Sequence, residues 1–371
     1  MHSSRNDIAV SVAVFAAVLG FFFTLDPLSR PVVLDPATWD YMAISLGEGL
    51  IPYRDIFLHK TPGAIFLGAA GAALAPVLGL EPVQAAHLVF VALGALAPAL
   101  VYLIARRRLS MAAAIAAALF LVAFDQWTVA AVEGVRPKVA TVVFGLAAII
   151  AAQARRPLIL GGFGCAATLC WQPGVAFALG ALVEFFTTKA SNEQRYHSRG
   201  SALLLISLGA TLPLLGLLIW LGLHGALGDF FTDAVGFNTH YITIHAQPPS
   251  RTIAHLYDLL GDWAPTELLL LPAALFGIAL RRHSIGPGLL TTSILYLAMI
   301  LVNFQAWPDT ILLVALLAVM LATGLSSLLD SALGPWIRHS ARGAGPCQRT
   351  EPAQPTSPST YRLPTAGALH G

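Results

Sequence analysis

The residues best equipped for chemistry stand close together near the N-terminus. Between Asp35 and Gly63, in DPATWDYMAISLGEGLIPYRDIFLHKTPG, the chain places Asp35, Asp40, Glu48, Arg54, Asp55, His59 and Lys60 within twenty-six positions. Carboxylates can take a proton from a hydroxyl, and lysine, arginine or histidine can hold an anionic oxygen. A second polar patch, Asp125 to Lys138, adds Glu133, Arg136 and Lys138. Glu133 can orient a hydroxyl or a water, or it can pair with Arg136 three residues later.

The remainder of the chain is what must position these groups, and it is strongly apolar. Of 371 residues 57% are hydrophobic and 11% charged, and uncharged runs recur along the whole length. A soluble core would not need them, so an integral membrane protein is expected. Nucleic acid is not an expected partner. Cys165 and Cys170 lie inside an apolar run and Cys347 stands alone, which gives neither a disulfide framework nor zinc spacing. Eighteen arginines against three lysines, with abundant alanine, point to a GC-rich bacterial source.

Ten apolar runs are read as spans: Ile8–Leu25, Pro82–Ala105, Met111–Phe124, Val139–Ala154, Leu158–Trp171, Gly174–Phe186, Ala202–Leu223, Leu268–Leu280, Gly288–Val302 and Ile311–Leu325. In lipid such runs must be helical, because each backbone polar group has to be satisfied within its own segment. The expected fold is therefore all-α and polytopic, with about ten transmembrane helices. Its membrane domain covers 1–334, with a first outer loop at 26–61 and a second at 224–266. A short helix is expected over Ala37–Glu48 in the first loop, and a disordered cytoplasmic tail over 335–371. Thr61–Leu80, rich in Gly and Ala and holding Pro62 and Pro76, is read as dipping into the outer leaflet or lying along it. Fifteen of the twenty-one basic residues then fall inside and both termini are cytoplasmic.

On that topology the carboxylates, five tryptophans and several histidines share the outer face. The first loop there resembles that of the GT-C superfamily of membrane glycosyltransferases, which use polyprenyl-phosphate sugars. Asp35 falls at the place of the family's catalytic aspartate, and Ala43, Gly49, Pro52, Tyr53, Arg54 and Asp55 follow in family order. Lys60, Thr61, Pro62 and Gly63 match its Lys-Pro-Pro-Gly element with Thr for the first Pro. Glu133 to Lys138 is similar to the acidic outer turn after the third span, and Trp307, Pro308 and Asp309 to a late element of dolichyl-phosphate-mannose mannosyltransferases. Pro36 departs from the pattern, replacing a second acidic residue, and no stretch corresponds to the large soluble C-terminal domain of many relatives.

The resemblance implies an inverting glycosyltransferase of the plasma membrane, using a polyprenyl-phosphate sugar such as that of mannose, and a glycan, lipid or protein acceptor. No cofactor or metal is called for. Asp35 is the candidate base, with helix capping as its other reading. Asp40, one turn on, is its rival, and Glu133 is the third candidate catalytic carboxylate. Tyr53, Arg54, His59, Lys60, His87, Arg136 and Lys138 are the candidate substrate-binding residues, with Lys60 and Arg136 preferred for the leaving phosphate. His240, His245 and His255 lack a carboxylate to complete a metal set. The competing readings are a transporter or flippase of lipid-linked sugar, which would need ionisable residues at mid-membrane, and an inactive scaffold.

Overall fold

The apolar runs are helices in the computed structural model, which describes residues 5–30, 34–188, 198–245, 248, 250–251, 254, 285–302 and 307–343. No strand occurs among them, only an isolated bridge between Pro52 and Ile56. The chain divides at Leu328 into two units, and everything below concerns the first. In order, the helices are α1 Arg5–Phe23, α2 Leu34–Gly47, α3 Gly63–Ala72, α4 Ala75–Leu78, α5 Pro82–Arg106, α6 Met111–Ala123, α7 Asp125–Val132, α8 Pro137–Gln153, α9 Pro157–Cys170 and α10 Val175–Thr187. There follow α11 Arg199–Leu223, α12 Leu227–Phe230, a π-helix Phe231–Phe237, α13 Asn238–His245, α14 Pro287–Val302 and α15 Ile311–Gly343.

Length and composition make α1, α5 and α11 able to cross a membrane, and α6 with α7 forms a fourth candidate bent by 67° at Phe124. The protein is a multi-pass membrane protein. Capping follows the sequence. Ser110 and Ser198 accept the backbone N–H of Ala113 and Ser201 at the starts of α6 and α11, and Glu81 and Gln84 form a capping box for α5.

The helices alternate between two ends, and the polar contacts mark each. At one end Lys138 meets Asp309, Arg54 reaches the carbonyl of His224, and Gln172 reaches that of His59. At the other, Arg106 pairs with Asp7, and buried Glu184 accepts from Arg108 at 2.7 Å, Gln153 at 3.2 Å and the Gly288 N–H at 2.9 Å. A carboxylate removed from water needs such donors. In α1, α5, α8, α10 and α11 the charged residues stand in the terminal turns.

The run at 61–80 breaks into α3 and α4, with Gly79 closing the latter at φ 66°. Ten residues of α3 rise about 15 Å, half of a hydrocarbon core, so it cannot cross by itself. It packs between α2, α5, α8 and α9. The expected span Leu268–Leu280 lies outside the described residues, as do His255, Lys189, Arg195, Asp258, Asp262, Arg281, Arg282 and 344–371.

Small residues let α9 and α11 run together. A Cβ on Gly161 would stand 2.0 Å from the carbonyl oxygen of Ile206, and one on Gly209 the same distance from that of Leu158. Close backbone approach of this kind is how membrane helices gain packing energy. Gly161→Ala must push backbone apart, so it is expected to destabilise the protein by about 1–3 kcal/mol, read as a lowered melting temperature in detergent.

Candidate functional site

The first loop is built to present its last residues inward. Helix α2 ends at Gly47, Gly49 turns the chain at φ 95°, and Tyr53 takes a left-handed backbone at φ 73° to donate its N–H to Ile56 at 2.7 Å. Asp55 accepts the Ile51 N–H at 2.8 Å and is bridged by Arg54 at 2.8 Å, which holds its carboxyl down at about 2. The Arg54 guanidinium also donates to the His224 carbonyl at 2.8 Å. Arg54 thus ties the loop to the end of α11. Tyr53 is buried, its pKa is raised by that burial and by Asp233, and its hydroxyl donates to the Lys60 carbonyl at 2.8 Å.

Lys60 is the product of this folding. Its ammonium lies 4.6 Å from the centre of the Trp39 ring, and no carboxylate among the described residues comes within ion-pair distance of it. Burial, then the like charge of Lys138, bring its pKa down to about 8, while Asp35 and Asp309 act the other way. Burial and Lys60 together lower His59, whose ring lies among Trp39, Phe57 and Phe237. A desolvated cation with no partner carboxylate is a site waiting for an anion.

The other cations of the cluster are already paired. Arg136 lies between two carboxylates, donating to Asp35 at 3.3 Å and, by a short contact, to Glu133, while its Nε is buried without a partner. Lys138, in the first turn of α8, is buried against Asp309 at 2.7 Å and lies 4.7 Å over the Trp171 ring. Asp35 sits in the first turn of α2 with a side chain 52% exposed, and only its Oδ2 is hydrogen-bonded among the described residues.

Asp40 differs sharply from Asp35. It and His87 have side chains 3% exposed and meet at 2.9 Å, and the other Asp40 oxygen accepts the Val135 N–H at 2.9 Å. The turn they hold contains Gly134 at φ 119°, where a Cβ would strike the Asp40 carboxylate at 2.7 Å and His87 at 2.8 Å. Asp40 and His87 therefore fix the turn that carries Glu133 and Arg136. Each oxygen of Asp40 has one protein donor, and its carboxylate is closed off from solvent, unlike that of Asp35.

Asp35, Glu133, Arg136, Lys138, Lys60 and His59 are thus brought together, Asp40 and His87 lie beneath them, and Tyr53 and Arg54 brace the loop. Residues outside the candidate catalytic and substrate-binding set complete the cluster. Asp309 neutralises Lys138 from 171 positions away, and Asn238 and Gln172 both reach the His59 carbonyl. Asp309 opens an apolar helix after Trp-Pro, a visible signal, whereas Asn238 sits in an ordinary polar run. Among the described residues no group of three His, Cys, Asp or Glu is placed to hold a metal ion. Beside Pro62 and Gly63 an apolar cavity of about 310 Å³ opens between α3, α9 and α11, lined by Phe66, Leu169, Leu217 and Trp220 among others.

No protein-family model matches the sequence, and no curated protein matches it. The fold is similar to two crystal structures of ArnT from Cupriavidus metallidurans, one in the apo state and one bound to undecaprenyl phosphate. Each aligns with a TM-score of 0.56 at 16% identity over 92% of this chain. The chain spans 65% of the first ArnT chain and 64% of the second.

Proposed function

We propose that this chain is an inverting glycosyltransferase that moves a sugar from a polyprenyl-phosphate donor to an acceptor hydroxyl at the outer face of a bacterial plasma membrane. The observation that carries the proposal is the Lys60 ammonium, without a carboxylate partner among the described residues, within electrostatic reach of the half-exposed Asp35 carboxylate and two residues from an apolar cavity. A lipid phosphate needs a cation and an apolar groove side by side, and transfer needs a base within reach. One of the two similar ArnT structures holds undecaprenyl phosphate, which supports a lipid-phosphate ligand. Mannose as the sugar rests on the sequence resemblance.

In the proposed reaction Asp35 removes the proton from the acceptor hydroxyl as its oxygen attacks the anomeric carbon. The bond from that carbon to the phosphate oxygen breaks with inversion, and Lys60 takes up the developing phosphate charge. Arg136 sets the distance between Asp35 and Glu133, with Lys138 and Asp309 closing the far wall. Asp40 and His87 support the turn and touch no substrate. The charged residues of α1, α5, α8, α10 and α11 stand at the helix ends, which favours this reading over a flippase, which would need them at mid-membrane.

Both termini are proposed to be cytoplasmic, with Asp35 outside. Arg107→Cys should then resist an impermeant thiol reagent in intact cells while Asp35→Cys reacts, and labelling at 107 would invert the topology. The function is tested by comparing lipid-linked sugars and envelope glycans with and without the gene. Accumulation of a polyprenyl-phosphate sugar together with loss of one glycan decoration is expected. Unchanged pools of both would remove the proposal.

A further inference from the structure

The backbone on either side of Lys60 is held by three side chains from separate parts of the chain. The His59 carbonyl accepts Gln172 Nε2 at 3.1 Å, from the turn after α9, and Asn238 Nδ2, from the first residue of α13. Two donors use both lone pairs of that oxygen. The Lys60 carbonyl accepts the Tyr53 hydroxyl at 2.8 Å. The amide of Asn238 is itself shared with the Ala234 carbonyl at 2.9 Å, inside the π-helix, so it is not free to swing.

Such bracing is more than a loop needs for closure, and its consequence falls on the ammonium. A rotation of about 20° in the backbone at Lys60 would carry a group roughly 6 Å from its Cα by about 2 Å. That is the difference between a hydrogen bond and none. Resting on the reading that Lys60 holds the donor phosphate, we propose that Gln172 and Asn238 are positioning residues that fix the His59 carbonyl and thereby aim Lys60. The segment from His224 to His245 is then part of the phosphate site without touching the phosphate. Because both amides serve one oxygen, either alone keeps some of the aim, and losing both costs more than the sum.

The test uses the full chain in nanodiscs with undecaprenyl phosphate as the probe. Gln172→Leu and Asn238→Leu should each weaken binding roughly three- to tenfold, and the double variant should approach the loss seen for Lys60→Met. Asn238→Gln, which keeps a donor, should recover part of it. A structural role alone would not move the second readout, the methyl resonances of ¹³C-methylated lysines. The chain has three lysines, so Lys60 can be assigned by its absence in Lys60→Met. In the double variant the Lys60 signal should shift and its titration move. Should the double variant fail to fold, Gln172→Leu alone decides by the same signal.

Loss of binding in Lys60→Met with wild-type binding and an unmoved Lys60 signal in the variants would overturn the inference and leave the function standing. Wild-type binding by Lys60→Met would instead overturn the phosphate role of Lys60, and with it the inference.

Discussion

Asp35→Asn is expected to lower turnover by about 10²- to 10⁴-fold, the usual contribution of a positioned base, while donor binding and folding stay near wild type. The geometry allows this separation. Asp35 is half exposed, bears on the fold through one 3.3 Å contact to Arg136, and leaves an oxygen without a partner among the described residues. An amide at this position can still face Arg136 with its oxygen, but it cannot accept the acceptor's proton. Asp40→Asn is the matched control. It offers an amide where two donors are aimed, His87 and the Val135 N–H, and so should lower the melting temperature and reduce turnover through the displaced Glu133–Arg136 turn. Turnover and thermal stability measured on both variants check this. A stable Asp35→Asn with wild-type turnover would take the base away from Asp35.

Lys60→Met should weaken binding of an anionic polyprenyl phosphate by about 10- to 100-fold, the loss of a charge-assisted contact of about 1.5–3 kcal/mol. The pH dependence gives a sharper result. Burial and Lys138 lower the Lys60 pKa to about 8, so the binding-competent ammonium is present below that value and lost as pH rises through it. Affinity should fall about tenfold between pH 7 and pH 9. The sign is opposite to that of the phosphate's own second ionisation, which is complete earlier and favours binding at higher pH. Lys60→Arg, which stays charged across the range, should flatten the profile. A flat profile in the wild type would mean that another cation holds the phosphate.

Much of the fold was legible because apolar length is a strong signal in a membrane chain. Expected spans such as Pro82–Ala105 and Ala202–Leu223 correspond closely to α5 and α11. The helix expected at Ala37–Glu48 is α2, begun three residues earlier at Leu34. The bend at Phe124 was not legible. Met111–Phe124 reads as one run followed by a polar patch, yet Asp125–Val132 continues as helix at 67° because Trp127, Ala130, Ala131 and Val132 are buried against the protein.

The site was legible as residue types and, apart from the Glu133–Arg136 contact, not as pairings. Lysine and arginine look alike in sequence as phosphate ligands, and burial and partners separate them. Arg136 has two carboxylates and Lys138 has Asp309, while among the described residues Lys60 has only an aromatic face. Asp35 and Asp40 differ in the same way, since five residues along one helix turn one outward and bury the other. Asn238 carried no signal, because its role depends on where α11 ends and not on its neighbours in sequence.

The most direct measurement follows the donor itself. Purified protein in nanodiscs is given ¹⁴C-labelled polyprenyl-phosphate mannose and a membrane extract as acceptor source, and label leaving the donor is counted beside released polyprenyl phosphate. Wild-type protein should release polyprenyl phosphate in step with the transferred label, and Asp35→Asn should release neither. Equal release by both proteins, or transfer from a nucleotide sugar with the lipid donor untouched, would contradict the account.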